Sequence, residues 1–120
     1  MNTGYCIIFV TCRDRKEASG IASSLLGKRL TACANVLPDV VSRFWWGGKL
    51  DSAKEVLLTL KTKTRNFKRI EKEVKRLHSY EVPEIIAMPI IAGSRDYLRW
   101  IESVTNNDKY QSANDKENSK

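Results

Sequence analysis

Hydrophobic and polar positions follow two different periods along the chain and predict alternating strands and helices. The continuous apolar run Cys6-Ile-Ile-Phe-Val10 predicts a central strand. Apolar residues then recur at helical spacing over residues 18–26, with Asp14 as the N-cap and Gly27 as a C-terminal stop. A second helix is predicted by an apolar stripe that consists of Phe67, Ile70, Val74 and Leu77.

The remaining pattern predicts one more strand, one more helix and a polar tail. Residues 84–91 form the strand, which Pro89 and Gly93 close. The final helix runs to Val104 and is capped by Ser94. Beyond it the chain has almost no apolar residues, which is typical of disorder. The predicted organisation is one domain over residues 1–104 and a polar, disordered tail over residues 105–120.

Two β-prone runs on either side of Gly47-Gly48 predict a β-hairpin that is long for a domain of this size. Its first arm covers residues 30–46, with a bend at Pro38, and its second arm covers residues 54–62. At ~3.3 Å per residue the first arm would span roughly 50 Å, whereas a domain of ~100 residues is only about 35 Å across. We therefore expect the hairpin to extend beyond its own core, with Trp45 and Trp46 in an interface with another subunit.

The predicted order is β-α-β-β-α-β followed by a terminal helix. This order indicates the α+β class and a ferredoxin-like split βαβ sandwich, in which helices cover one face of an antiparallel sheet. Strands one and four are apolar throughout rather than alternating, so both faces of the sheet need cover. Self-association would cover the second face and the hairpin together.

Composition limits the class of protein. The chain has 120 residues and is 42% hydrophobic, which fits one globular domain. No apolar stretch is long enough to cross a bilayer, and the N-terminus lacks a signal-peptide pattern. The three cysteines are an odd number without zinc-site spacing. We therefore expect reduced thiols, no membrane partner and a cytoplasmic location.

The net charge of +7 is concentrated in one segment. Residues 61–76 hold eight Lys or Arg against two Glu, a local charge of +6. Nucleic-acid binding is one explanation, because RNA-recognition modules share this fold class and stack bases on aromatics in their central strands. Phe9 is the single phenylalanine in the two predicted central strands, so we expect no nucleic-acid partner.

Several ordered motifs resemble those of one family. They are Ala32-Cys33-Ala34-Asn35-Val36, Trp45-Trp46-Gly47-Gly48-Lys49-Leu50, His78-Ser79-Tyr80-Glu81-Val82-Pro83-Glu84 and Tyr97-Leu98-Arg99-Trp100. Across roughly residues 7–101 the chain resembles the CutA divalent-cation tolerance proteins. The resemblance implies a homotrimer in which each long hairpin reaches a neighbour. It also implies a link to copper tolerance, binding of divalent ions such as copper(II), and a likeness in fold to the PII signal proteins.

His78 is the only histidine and the first candidate for a metal ligand. The alternative is a histidine that the helix dipole favours at a helix C-terminus. The resemblance matches His78 to a position implicated in metal binding. Val10 and Leu77 stand where some members carry a metal-binding cysteine and a second histidine. Cys12, two residues beyond Val10, is the candidate second ligand.

A second candidate site is a cleft at a subunit boundary. Charged residues inside apolar strands point outward or face such a cleft, and exposed aromatics pack in an interface or line a pocket. The candidate cleft residues are Glu55, Lys61, Glu84, Tyr97 and Trp100.

The sequence contains no recognisable pairing of a nucleophile with a base, and no Gly-rich phosphate loop. We therefore expect a protein that is not an enzyme. The leading hypothesis is a homotrimer that binds divalent metal ions, with copper(II) as the expected ion, and acts in metal tolerance or homeostasis. The alternative is a PII-like sensor of a small molecule in the intersubunit cleft.

Overall fold

Four antiparallel strands form one sheet in the computed structural model, which describes residues 2–105. The strands are β1 (Tyr5–Cys12), β2 (Cys33–Trp46), β3 (Lys49–Lys63) and β4 (Ile85–Pro89), and the helices are α1 (Arg15–Gly27), α2 (Phe67–Leu77) and α3 (Arg95–Val104). A short 3-10 turn, Thr64–Asn66, precedes α2. The sheet order β2-β3-β1-β4 confirms the predicted α+β, ferredoxin-like sandwich.

The core lies between the sheet and the first two helices. Every second side chain of β1, from Cys6 to Cys12, is buried, because successive side chains of a strand point to opposite faces. Ile8 pairs with Leu60 across the ladder between β1 and β3, and both are fully buried. Helices α1 and α2 cover this face with buried apolar residues: Ala18, Ile21, Ala22, Leu25, Ile70 and Val74.

The opposite face of the sheet is open in the protomer. Ile86 and Met88 of β4 are 50% and 53% exposed, although both are apolar. The apolar character of β4 is thus not explained by the core of one protomer.

The structure confirms the long hairpin of β2 and β3, although the two arms differ in length from the predicted ones. Its arms have 14 and 15 residues, and the longest dimension of the molecule is 49 Å. Gly47 and Gly48 both have positive φ, as the two-residue turns favoured in hairpins require. The predicted bend is also present, since the register shifts between Leu37 and Val40 and Asp39 takes a φ of 65°.

Some predicted boundaries differ from the structure for local reasons. β2 begins at Cys33 rather than at residue 30, because Leu30 is buried in the core after the turn that ends α1. β3 begins already at Lys49, which pairs with Trp46 across the tight turn. β4 is shorter than predicted and ends at Pro89, which has no N–H to continue the ladder.

The helix ends follow the predicted capping residues. The Asp14 side chain accepts a hydrogen bond from the Glu17 N–H, and the Ser94 side chain accepts one from the Tyr97 N–H. Thr105, the first residue of the predicted tail, is buried and its N–H bonds to the Ile101 carbonyl. The rest of that tail, 106–120, lies outside the described residues. Within residues 2–105 no helix has the length and apolar character needed to cross a membrane.

Candidate functional site

The His78 ring lies in a buried position where the chain leaves α2. Its side chain has no exposed surface, and Nε2 lies 2.7 Å from the Thr11 carbonyl oxygen at the end of β1. The Tyr80 N–H donates to Nδ1 over 3.0 Å. Since a carbonyl only accepts and an amide N–H only donates, these contacts place a proton on Nε2 and make Nδ1 the acceptor.

Cys12 and Glu17 lie beside this ring. The Cys12 sulfur, a Glu17 carboxylate oxygen and a His78 ring nitrogen all lie within 4.8 Å of one another, and we call these three residues the Cys12–Glu17–His78 cluster. Cys12 is fully buried. Burial raises the pKa of the Cys12 thiol to about 12, and the nearby charges of Glu17, Glu55 and Asp14 act in the same direction. At neutral pH the sulfur is therefore a thiol rather than a thiolate.

Glu17 connects three parts of the fold. Its carboxylate accepts from the Arg13 N–H at 2.8 Å and from the Ser79 N–H at 2.7 Å. Burial opposes ionisation, but the hydrogen bonds from Arg13 and Ser79 outweigh it and hold the pKa of Glu17 below its usual value. The end of β1, the first turn of α1 and the segment after α2 are thus fixed around one carboxylate.

The donor chemistry of the cluster fits a divalent transition-metal ion. A thiolate, an imidazole and a carboxylate are the ligands that zinc and copper use in proteins. An ion would have to displace the Cys12 proton, and would replace the Tyr80 N–H as the partner of Nδ1. His78 would keep the hydrogen bond from Nε2 to the Thr11 carbonyl, since a ligating histidine usually donates from its other ring nitrogen.

A cleft of about 780 Å³ opens next to the cluster. It lies between the hairpin and the segment that follows His78, and its lining consists of Thr11, Ser42, Arg43, Phe44, Trp45, Trp46, Glu55, Tyr80, Glu81, Val82, Pro83 and Glu84. Glu55 is only 8% exposed, and the Tyr80 hydroxyl donates to it over 2.7 Å. Burial and this hydrogen bond raise the pKa of Tyr80. The rings of Tyr80 and His78 are 4.8 Å apart, so the cleft and the cluster are neighbours.

The predicted cleft residues separate into two groups within one protomer. Glu55 and Glu84 line the cleft, whereas Lys61, Tyr97 and Trp100 do not. The rings of Tyr97 and Trp100 pack against each other at a centroid distance of 5.4 Å, with their planes tilted by 43°. Burial and the neighbouring Cys33 thiol raise the pKa of Tyr97, and the Lys61 Nζ lies 4.0 Å from the same sulfur. Lys61 and Tyr97 thus both lie beside Cys33, and Trp100 packs against Tyr97.

Two residues of these sites were not predicted from the sequence: Glu17, the third member of the cluster, and Phe44, which lines the cleft. Glu17 follows Asp14 by three residues, which is the spacing of a capping box. That spacing indicates a carboxylate turned back toward the helix start, where it also approaches Cys12. The hairpin tip residues Trp45 and Trp46 line the cleft and remain 73% and 61% exposed.

Comparison with known proteins identifies a family to which the chain is similar over most of its length. Residues 6–104 match the model described as CutA1 divalent ion tolerance protein. The chain is 39% identical over 99 residues to the divalent-cation tolerance protein CutA of Thermus thermophilus, covering 82% of this chain and 96% of the relative. It is 40% identical over 97 residues to Protein CutA of Mus musculus, covering 81% of this chain but 55% of that longer protein.

Solved structures have the same fold. The structure described as the periplasmic divalent cation tolerance protein CutA of Archaeoglobus fulgidus superposes with a TM-score of 0.82 at 40% identity, covering 84% of this chain and 98% of that chain. The Thermus thermophilus structure superposes with a TM-score of 0.79 at 39% identity, covering 81% and 94% of the two chains. Sequence and fold agree, and the chain belongs to the CutA1 divalent ion tolerance family.

Proposed function

We propose that this chain is a non-enzymatic homotrimer that binds divalent transition-metal ions, copper(II) among them, and acts in metal tolerance. The main support for a metal site is that the sulfur of Cys12, a ring nitrogen of His78 and a carboxylate oxygen of Glu17 lie within 4.8 Å of one another. The relatives from Thermus thermophilus and Archaeoglobus fulgidus are described as divalent-cation tolerance proteins, which supports a divalent ion as the ligand.

The electrostatics of the cluster support a cation. The carboxylates that raise the pKa of the Cys12 thiol do so because they disfavour a further negative charge. The same negative potential favours a positive ion. Binding would convert the thiol to a thiolate, so each ion would release about one proton.

Calorimetry on chelator-stripped protein tests this proposal. Copper(II) and zinc(II) are titrated in two buffers of different ionisation enthalpy, which reports the number of protons released. We expect about one proton per ion and an affinity that falls about tenfold for each pH unit below neutrality. Cys12→Ser should remove most of the binding. Cys6→Ser is the matched control, because Cys6 is equally buried on β1 but lies outside the cluster. Unchanged affinity in Cys12→Ser would contradict the assignment.

The homotrimer is supported by surfaces that one protomer leaves uncovered. Trp45 and Trp46 are mostly exposed at the hairpin tip, and Ile86 and Met88 are half exposed on the open sheet face. A closed ring of identical subunits covers such surfaces without leaving an edge that continues to grow.

A small-molecule sensor is the second candidate function, and the cleft is the observation that favours it. Its volume of about 780 Å³ lies within the range of ligand sites, and its lining combines aromatic walls with charged side chains that could orient a ligand. Trp45 and Trp46 line the cleft and also belong to the surface that we assign to the trimer interface. Ligand occupancy would then be reported to a neighbouring subunit.

A further inference from the structure

Glu55 is a buried carboxylate without a cationic partner among residues 2–105. It is 8% exposed, and within this part of the chain its one hydrogen bond comes from the Tyr80 hydroxyl to Oε2. No Lys or Arg of the described residues pairs with it. Buried carboxylates in proteins are normally paired or bonded at both oxygens, since removing a charge from water is unfavourable. Among residues 2–105, Glu55 Oε1 thus has no hydrogen-bond donor or cation beside it, although the side chain is buried.

Glu73 is a buried carboxylate of the same fold whose two oxygens both accept hydrogen bonds. Glu73 is buried to a similar degree, yet it accepts from Ser24, Lys28 and twice from Arg76. Glu73 lies between two helices, whereas Glu55 lines an open cleft. The missing partner of Glu55 would therefore come from whatever enters the cleft.

The other residues that line the cleft indicate what kind of ligand would pair with Glu55. Phe44, Trp45, Trp46 and Tyr80 supply aromatic surface, and Glu81 and Glu84 add two further carboxylates against one cation, Arg43. Aromatic faces attract organic cations through their quadrupole. A hydrated metal ion would gain little from these walls, and an anion would face three carboxylates.

We propose that the cleft binds an organic ammonium ion, with the ammonium group on Glu55 and the apolar part against the aromatic walls. This inference rests on the second proposed function, binding of a small molecule in the cleft, and does not require that a metal ion binds at the cluster. It names the ligand class that the cleft would take. Glu55 is the specificity-determining residue, and the Tyr80 hydroxyl holds its second oxygen in place.

The test uses three probes of one shape and different charge: benzylammonium, benzyl alcohol and benzoate. Each is titrated into the full-length protein by calorimetry at pH 7. We expect benzylammonium to bind at least about tenfold more tightly than benzyl alcohol, and benzoate to bind most weakly. Because this comparison uses the unaltered protein, it does not depend on the folding of a variant.

Glu55→Gln then identifies the residue. It keeps the size of the side chain and an oxygen for Tyr80, and we expect it to reduce the preference for benzylammonium over benzyl alcohol to within about twofold. Glu71→Gln is the matched control, because Glu71 lies on α2 outside the cleft and should leave the preference unchanged.

The outcomes separate the two hypotheses. Binding of benzyl alcohol or benzoate equal to that of benzylammonium would overturn the ammonium inference but keep a small-molecule cleft. Absence of binding for all three probes would overturn the inference and remove the support for the sensor function. Preference for benzylammonium that persists in Glu55→Gln would overturn the assignment to Glu55. Copper(II) titration of the same samples reports the metal site separately.

Discussion

Replacement of His78 by alanine should destabilise the protein strongly, apart from any effect on metal binding. The fully buried ring satisfies the Thr11 carbonyl and the Tyr80 N–H. Its removal leaves both backbone groups without these partners, at about 1–3 kcal/mol each. The cavity left by the ring adds to this. We expect a loss of about 3–5 kcal/mol in the free energy of unfolding.

Urea denaturation at fixed protein concentration measures this loss, and the concentration must be constant because assembly contributes to apparent stability. Glu81→Ala is the control, since Glu81 is exposed and should change stability by less than about 0.5 kcal/mol. A loss below about 1 kcal/mol in His78→Ala would refute the two-bond arrangement of the ring. Metal binding by His78→Ala should therefore be measured only under conditions where this variant remains folded.

Three further predictions concern stability and assembly. Between about pH 9 and 11 the unfolded state ionises Cys12 while the native thiol stays protonated, so wild type should lose about 1.4 kcal/mol per pH unit more than Cys12→Ser in urea denaturation. Hydrogen bonds from Arg76 and Ser24 hold the pKa of Glu73 below its usual value. Glu73→Gln should therefore cost about 1–3 kcal/mol at pH 7. Because that contribution is present above the unfolded pKa of ~4.3 and is lost as pH falls through the native pKa, the gap between wild type and variant should narrow toward pH 3. Trp46→Ala should shift the oligomer toward smaller species in light scattering at micromolar protein, and a folded wild-type monomer of 13.7 kDa would contradict the trimer.

The fold was predictable because each element carries its own local signals. The two glycines at the hairpin turn, the caps at Asp14 and Ser94, and the stripe on α2 all depend on residues close in sequence. The errors lie at element ends, where tertiary contacts decide. Leu30 lies outside β2 because its side chain packs in the core. The local pattern of apolar residues does not show that this contact forms.

The candidate site was only partly predictable, because it depends on which chain segments meet. Cys12 and His78 were predicted as metal ligands, and the structure places them together, which is compatible with that prediction but does not test binding. The cleft prediction combined Glu55 with Lys61, six residues apart on β3. An extended strand separates such residues by roughly 20 Å. Both cannot line one small cleft of a single protomer.

The Cys12–Glu17–His78 cluster and the cleft are not electrically independent. Glu55 belongs to the cleft, yet its charge helps to raise the pKa of the Cys12 thiol in the cluster, as Glu17 does. An ammonium ion on Glu55 would neutralise part of the field that favours a metal ion beside Cys12. A metal ion at the cluster would in turn weaken binding of the ammonium ion, because the coupling free energy between two ligands is reciprocal. The cluster lies in the core of one protomer and the cleft opens toward the exposed hairpin tip. Competition of this kind would let a buried ion change the occupancy of a cleft that adjoins the surface we assign to the trimer interface.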